Sequence, residues 1–445
     1  MPLRPQEYTR LTRDDIQLRY RTENDMVAHA PPRVIFFLPK TEYTAYGTHR
    51  FGWKNVVATM IEEFGHIETQ LSLVNFEWIQ YSIRNQLPGT SCYETAVAHA
   101  RETAKSTIPQ AIQPRHPSNI ILDDWFEKTL NWGKDTPVYT SSFVTFMHDP
   151  ILSPDLVQLK MSRSMEAKKR KMRQVLDGMW LNPVARQHLS LIFVFSRHQQ
   201  QQLKTYMDGL PVPMSVPSVC LYHPIPAKRT AAMFSSRFDC DAFIAMPAAK
   251  RCVYHIGWWL RRVDSFLKVS FPGTKVMLMK TDDIYAMDYV QFEVRQTLVG
   301  RDHVQNTSYQ APLTNDERAT LWRRHRTVVR SSVDNAAYDA ILKNSIVFLD
   351  LYECAANNVV LECILYCTPL LVRPLPSVVE YLGKEYPFYF DTDQEASERL
   401  NDNQLIRDTH SYLVRLNASA FQAMSMEKFA ADVALATASV IIFPG

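Results

Sequence analysis

The chain alternates short apolar runs with helical patterns along most of its 445 residues. Apolar runs bounded by proline or polar sequence are typical of strands that are buried on both faces of a parallel sheet. In chain order these runs are residues 33–40, 71–76, 141–148, 189–196, 216–224, 251–257, 274–280, 344–352 and 368–373. Because helical patterns lie between several of them, the sequence predicts a parallel α/β architecture.

The alternation is interrupted once, between residues 209 and 250, where proline-rich sequence replaces most of the periodic segments. A chain of 445 residues is also too long for one comfortable core. We therefore predict two α/β domains, residues 1–226 and 227–445, each with its own parallel sheet. This division is compatible with a terminal helix that packs back on the first domain. A ligand would bind in the cleft between the domains, at the carboxyl ends of the strands.

Composition excludes several classes of protein. The chain is 46% hydrophobic and 21% charged, which excludes a mainly disordered protein. Its 49 basic and 46 acidic residues give a net charge of +3, too small for a broad nucleic-acid-binding face. The seven cysteines contain no C-x-x-C pair, which argues against a zinc or redox site. No G-x-G-x-x-G motif occurs among the 12 glycines, which argues against NAD-linked chemistry.

The sequence contains no clear membrane-spanning or secretory segment. Its N-terminal residues are polar and lack an apolar signal core. No run approaches the roughly 20 apolar residues that a membrane-spanning helix needs. We expect a cytoplasmic protein, and this location is compatible with peripheral contact to a membrane.

One polar cluster interrupts the apolar stretch of residues 351–372. Asn357 and Asn358 fall where a helix is predicted to begin at a strand's carboxyl end, and Val359 belongs to the same helix start. The N–H groups and dipole of such a helix start favour an anion, typically a phosphate. About one turn later, the carboxylate of Glu362 can accept hydrogen bonds from sugar hydroxyls. Asparagine is also a common local helix cap, and a lone glutamate on a helix usually faces solvent, so both interpretations stay open.

Residues 351–390, "LYECAANNVVLECILYCTPLLVRPLPSVVEYLGKEYPFYF", resemble the donor-binding segment of GT-B glycosyltransferases. The better known retaining members carry an E-x7-E pair at this place. Glu362 matches the second glutamate, and the resemblance implies that it contacts the ribose of a nucleotide. In the family, the first glutamate of the pair helps to hold the transferred sugar. Here the residue eight positions before Glu362 is Cys354, and Glu353 lies one position too early to match the pattern.

Residues 254–269, "YHIGWWLRRVDSFLKV", resemble the strand and glycine-containing loop at which the C-terminal domain of the same family opens. The resemblance implies that Gly257 lies near the donor and that Arg261 and Arg262 bind its diphosphate. Guanidinium suits phosphate because its N–H groups form a two-pronged fork. Lys280 is a second candidate phosphate ligand. Each of these basic residues can alternatively belong to a solvated helix start.

The N-terminal half contains weaker matches to the family. Its first strand-to-helix loop, "GTHRFGWKNVV", and three strand ends supply the candidates, namely Gly47, His49, Arg50, Gly52, His148, Asp149, Ser196 and His223. An inverting enzyme needs a base near the acceptor, and the candidates are His148, Asp149 and His49. In a retaining enzyme the donor phosphate can take the acceptor proton. The sequence leaves both mechanisms open.

We therefore predict a two-domain GT-B enzyme that moves a sugar from a nucleotide diphosphate sugar to a hydroxyl of a glycan or glycoconjugate. The nucleotide sugar is its co-substrate, and no other cofactor or metal is expected because no Asp-x-Asp motif follows a suitable strand. Another enzyme of this fold, such as a nucleotide-sugar epimerase, and a non-catalytic nucleotide-sugar-binding protein are alternatives. The basic run 165–173 is a solvated helix face or a contact for an anionic surface.

Overall fold

The structure is a computed structural model. It describes residues 33–39, 53, 56, 75–81, 120–123, 143–159, 161–181, 189–210, 216–225, 237–279, 283–299, 315–331 and 333–442.

The described strands form two fully parallel sheets. They are β1 Arg33–Pro39, β2 Asn75–Tyr81, β3 Ile120–Asp123, β4 Phe143–Phe146, β5 Leu189–Val194, β6 Ser218–Cys220, β7 Cys252–Ile256, β8 Thr274–Leu278, β9 Thr327–Arg330, β10 Ile346–Leu349 and β11 Leu370–Val372. The first sheet has the order β2-β1-β3-β4-β5-β6, and the second has the order β11-β10-β7-β8-β9. The predicted parallel α/β architecture is confirmed.

Helices follow most of these strands, as a parallel sheet requires. They are α1 Pro154–Gln158, α2 Arg163–Leu181, α3 Arg197–Asp208, α4 Cys240–Ala245, α5 Val263–Lys268, α6 Ile284–Val299, α7 Asn315–Arg324, α8 Asn335–Asn344, α9 Asn358–Tyr366, α10 Pro376–Leu382, α11 Asp393–Asn401, α12 Asn403–Ala423 and α13 Met426–Ile442. In the described part of the chain, none of them has both the length and the apolar content to cross a bilayer.

The chain divides into two compact units that interleave along the sequence. Unit 1 comprises residues 1–149, 172–227 and 423–445, and unit 2 comprises residues 150–171 and 228–422. One passage between the units thus falls at residue 227, next to the predicted boundary at 226. A single boundary at residue 226 would assign residues 150–171 to the first domain and residues 423–445 to the second. In the structure, residues 150–171 belong to unit 2 and residues 423–445 belong to unit 1.

Strands β3 and β9 are missing from the sequence prediction. Each has four residues, too few for an apolar period to stand out from its surroundings. The second strand begins at Asn75, four residues later than its predicted start, and runs to Tyr81 through the polar positions Glu77 and Gln80.

The sequence pattern of residues 419–438 predicts one continuous closing helix, but in the structure this stretch is divided between two helices. The break falls at Met424 and Ser425, between α12 and α13. The Met424 carbonyl accepts a hydrogen bond of 2.8 Å from the N–H of Ile225. The break between the two helices is thus also the point of a backbone contact with a distant segment.

Two fully enclosed imidazoles make the fold sensitive to acid. His255 on β7 is 0% exposed and His223 after β6 is 5% exposed. Burial lowers the pKa of His255 from 6.5 to about 3, and the charge of Arg261 acts in the same direction. Burial lowers the pKa of His223 to about 4. Because the unfolded chain then binds more protons below pH 6.5, stability is fully present above that pH and decreases below it.

We expect the free energy of unfolding to fall between pH 6.5 and pH 4.5 by up to about 1.4 kcal/mol per pH unit for each imidazole. Urea unfolding across this range measures the effect. The variant His255→Met should flatten part of the dependence, since methionine keeps an apolar side chain among Phe266 and Phe348. An unchanged slope in that variant would assign the effect to other groups.

Candidate functional site

The strand order of unit 2 reverses between β7 and β10. From β7 the chain proceeds to β8 and β9 on one side, whereas β10 and β11 lie on the other side. In open parallel sheets, ligands bind beyond the carboxyl ends of the strands at such a switch point. The segments that follow the two strands are residues 257–262, termed the β7 loop, and residues 350–357, termed the β10 loop.

The two loops are hydrogen-bonded to each other. The N–H of Arg262 donates to the carbonyl of Asp350 at 2.8 Å, and the N–H of Tyr352 donates to the carbonyl of Leu260 at 2.9 Å. Arg261 and Leu351 form an antiparallel bridge between them. Residues from two distant parts of the sequence are thereby fixed together at the switch point.

Gly257 allows the close approach on which the β7 loop depends. Its φ angle is +82°, a conformation that side-chain-bearing residues rarely adopt. A Cβ atom at this position would lie 2.9 Å from Cζ of Arg261. The guanidinium therefore packs directly on the glycine, in the space that any other residue would fill.

Arg261 has an unusual environment for a charged group. Its Nη1 donates to the carbonyl of Trp259 at 2.8 Å. Its Nε is buried and has no hydrogen-bond partner among the residues that the structure describes. Burial lowers the pKa of the guanidinium, while Tyr338, Tyr289, Cys354 and Glu362 act in the opposite direction. A buried donor without an acceptor is costly, and an anionic ligand would supply the acceptor.

Asp350 organises the rest of the edge. It is 0% exposed, and Arg373, directly after β11, donates to both of its carboxylate oxygens at 2.9 Å. Nε of Arg262 lies 3.8 Å from the same carboxylate. One carboxylate thus aligns two guanidinium groups, and the three residues follow β7, β10 and β11.

Glu362 lies inside the unit rather than on a solvated helix face. It is 6% exposed in the second turn of α9, and its Oε2 accepts a hydrogen bond from the hydroxyl of Tyr338 on α8. Its helix begins directly after the β10 loop, and its charge acts to raise the pKa of Arg261 in the β7 loop. A carboxylate has about four lone pairs, so it can accept several hydrogen bonds at once.

The side chain of Asn357 caps the N-terminal end of α9. Oδ1 of Asn357 accepts from the N–H of Val359 at 3.0 Å, and the carbonyl of Asn357 accepts from the N–H of Val360 at 3.0 Å. One of the N–H groups expected to face an anion is therefore bonded to the cap. An anion contact at Asn357, Asn358 and Val359 stays a prediction.

The position of the first family glutamate is occupied by a neutral thiol. Cys354 is buried, its Sγ lies 3.1 Å from Oγ of Ser377, and burial raises its pKa to about 12. Oε1 of the neighbouring Glu353, also buried, accepts from the N–H of Cys354 at 3.1 Å. The donor-binding role of Glu353 stays a prediction.

A pair of tryptophans separates Gly257 from Leu260 and Arg261. Nζ of Lys168 lies 3.7 Å from the ring centroid of Trp259 and 4.5 Å from that of Trp258. These distances are typical of cation–π contacts. The lysine belongs to α2, so part of the basic run covers the β7 loop.

The remaining cations of the run 165–173 divide into two groups. Lys169 is buried and donates to the carbonyl of Leu159 at 2.6 Å and to Oε1 of Glu166 at 2.9 Å. The side chains of Arg170, Lys171 and Arg173 are exposed.

In unit 1, His148 and Asp149 directly follow Met147 beyond the end of β4. The ring of His148 packs 4.6 Å from that of Trp53 and 5.1 Å from that of Phe195, measured between centroids. The buried Gln199 donates to the carbonyls of Met147 and Asp149, at 3.1 Å in both cases. The loop is thus rigidly held, and the catalytic roles of the two residues stay predictions.

Two further candidates of unit 1 have local structural roles. Oγ of Ser196 accepts from the N–H of Gln199 at 3.1 Å and caps α3. Nδ1 of His223 lies 3.1 Å from the carbonyl of Pro224, and its ring centroid lies 6.1 Å from that of Trp53. Ser196 lies two residues after the end of β5, close to the strand end that the sequence indicated, and His223 lies three residues after the end of β6.

Several predicted residues lie outside the described part of the chain. They are Gly47, His49, Arg50, Gly52 and Lys280. Conversely, sequence reasoning missed Asp350, Arg373, Tyr338 and Gln199. Asp350 ends an apolar strand and Arg373 lies inside the family-like block, which was a usable signal, whereas Tyr338 and Gln199 lie in no motif. Within the described ranges, no group of three histidine, cysteine or acidic side chains is placed to hold a metal ion.

Comparison with known proteins gives structural matches only. No family model matches the chain, and no curated protein matches it in sequence. Sucrose-phosphate synthase from Thermosynechococcus elongatus has a similar structure, with a TM-score of 0.56, 10% identity, and coverage of 90% of this chain and 97% of that one. A UDP-forming α,α-trehalose-phosphate synthase from Burkholderia vietnamiensis gives a TM-score of 0.53, 9% identity, and coverage of 92% and 98%. These neighbours are GT-B glycosyltransferases.

The chain has the GT-B fold.

A third GT-B neighbour is the Anabaena protein HepE in complex with UDP-glucose, with a TM-score of 0.50, 12% identity, and coverage of 90% of this chain and 98% of that one. At identities this low, the structural similarity establishes the GT-B fold and says nothing about activity. The predicted fold class is confirmed.

Proposed function

We propose that this chain is a glycosyltransferase that moves a sugar from a nucleotide diphosphate sugar to an acceptor hydroxyl. The observation that carries the proposal is the guanidinium of Arg261, whose buried Nε lacks a hydrogen-bond partner in the described residues. It lies at the switch point of a parallel sheet, in the same neighbourhood as the carboxylate of Glu362. A diphosphate joined to a sugar supplies acceptors for the first group and hydroxyl donors for the second.

The chemistry of sugar transfer fits these side chains. When the bond between the sugar and the diphosphate of the donor breaks, negative charge grows on the diphosphate, and fixed positive charge lowers the barrier. Arg261 supplies such a charge, and Arg262 supplies another that Asp350 holds in place. Lys280 and the helix start at Asn358 are further candidate ligands for the same group.

The remaining details extend the proposal. The solved neighbours include complexes with UDP and UDP-glucose, so uridine nucleotides are the first donors to test, followed by guanosine nucleotides. A glycan or glycoconjugate is the acceptor, and His148, Asp149 or His49 is the base if the reaction inverts the sugar. We propose a reaction that needs no metal or additional cofactor, in a cytoplasmic protein. Arg170, Lys171 and Arg173 are available to an anionic surface.

The first test is titration with UDP, GDP and their sugars, followed by thermal unfolding. A ligand at 100 times its dissociation constant stabilises the folded state by about 2.7 kcal/mol, which raises the melting temperature by several degrees. We expect one nucleotide family to produce this shift. The absence of a shift with every nucleotide would refute both the glycosyltransferase and the epimerase alternative.

A second measurement separates transfer from its alternatives. Free nucleotide diphosphate that forms only when an acceptor is added supports transfer. Conversion of the sugar nucleotide without an acceptor would favour an epimerase. Binding without any turnover across a panel of acceptors would favour a non-catalytic nucleotide-sugar-binding protein.

A further inference from the structure

Helices α8 and α9 are joined by two hydrogen bonds of the same kind. The hydroxyl of Tyr338 on α8 donates to Oε2 of Glu362 on α9, and the hydroxyl of Tyr366 on α9 donates to Oδ1 of Asp339 on α8. Burial and the charge of Glu362 raise the pKa of Tyr338 well above its ordinary value, so its phenol stays protonated and donates. The two bonds are chemically equivalent, but only the first involves the carboxylate near Arg261.

We propose that Tyr338 is a positioning residue that orients the Glu362 carboxylate to receive the pentose hydroxyls of the donor nucleotide. This inference rests on the proposed function. The terminal torsion of a glutamate side chain is broad, so an unrestrained carboxylate samples many orientations. A phenol fixed to one oxygen restricts that rotation and directs the remaining lone pairs.

The surroundings of the pair support a role in ligand binding. Glu362 lies in the second turn of the helix that begins directly after the β10 loop, and Arg261 lies in the β7 loop that is hydrogen-bonded to the β10 loop. The charges of Tyr338 and Glu362 also act on the pKa of Arg261. A group that binds diphosphate therefore lies beside a hydroxyl acceptor whose orientation is set by the phenol. A nucleoside diphosphate presents anionic oxygens and a pentose with adjacent hydroxyls, and it can satisfy both groups at once.

The variant Tyr338→Phe tests the proposal, with Tyr366→Phe as a matched control. Each removes one hydroxyl and one bond between α8 and α9. UDP and GDP are titrated by calorimetry, and the tighter of the two is compared with its 2′,3′-dideoxy analogue. We expect Tyr338→Phe to weaken binding of the ordinary nucleotide about tenfold, because a misdirected Glu362 carboxylate loses one hydrogen bond from a pentose hydroxyl. It should leave the affinity for the dideoxy analogue unchanged, and Tyr366→Phe should change neither.

Each other outcome overturns the inference in a recognisable way. Equal loss for the ordinary and the dideoxy nucleotide would mean that Tyr338 acts on something other than the pentose. An equal effect of Tyr366→Phe would show a general role in joining the helices. Unchanged binding in Tyr338→Phe would refute the positioning role alone, whereas a wild-type protein that binds neither nucleotide would refute the proposed function as well.

Discussion

Asp350→Asn is expected to lower the free energy of unfolding by about 3 kcal/mol, the effect of removing one partner of a buried ion pair. The carboxylate is completely buried and bonded by Arg373 through both oxygens, with Arg262 at 3.8 Å. Asparagine keeps the size of the side chain but removes its charge. Two guanidinium groups that are 29% and 22% exposed then lose their shared counter-charge.

Urea-induced unfolding measures this effect. If the slope of the unfolding free energy against urea concentration is unchanged, the substitution has changed only stability. Asp432→Asn is the matched control. Its partner Lys428 lies 2.8 Å away, and both side chains are well exposed, so a change within about 0.5 kcal/mol is expected. A loss for Asp350→Asn no larger than that of the control would show that the network does not support the fold.

Arg261→Met is expected to weaken binding of nucleotide diphosphate about 100-fold, because a buried charged contact contributes several kcal/mol to binding. Methionine retains the apolar part of the side chain and removes the guanidinium. The substitution removes the hydrogen bond to the Trp259 carbonyl, but it also removes a buried Nε that has no acceptor among the described residues, so the stability of the unliganded protein should change little. Loss of binding without loss of stability distinguishes a ligand-binding group from a structural one.

Calorimetric titration and thermal unfolding of the same preparations give both quantities. Arg324→Met is a suitable control, because Arg324 is exposed and lies just before β9, at the end of the parallel sheet opposite to the strand ends that carry both loops. It should change neither affinity nor stability. If Arg261→Met bound nucleotide as tightly as the wild type, the diphosphate site would have to lie elsewhere.

The framework of the second unit could be predicted because its strands are apolar runs with clear ends. Gly257 and Arg261 follow such a run closely, and a parallel sheet brings the ends of its strands to one edge. Glu362 could be found for the same reason, since its helix begins after another strand. In these cases the chemistry lies within a few residues of a strong periodic signal.

Other parts of the site depend on contacts that no local pattern encodes. The bond between Tyr338 and Glu362 joins residues 24 positions apart, and the pair Asp350–Arg373 joins residues 23 positions apart. Asn357 has two possible roles in the sequence, as a cap or as an anion ligand, and only the structure shows that its side chain caps α9. Tertiary contact decides between roles that local sequence allows equally.

The tryptophans of the β7 loop give the proposed donor site a means of optical detection. Their indoles are chromophores that respond to nearby charge, and Lys168 holds an ammonium 3.7 Å from one of them. The guanidinium of Arg261 donates to the carbonyl of Trp259, so a ligand that draws this group away acts directly on the backbone of that chromophore. If nucleotide binds at the proposed site, we expect intrinsic fluorescence to change on binding without any attached label.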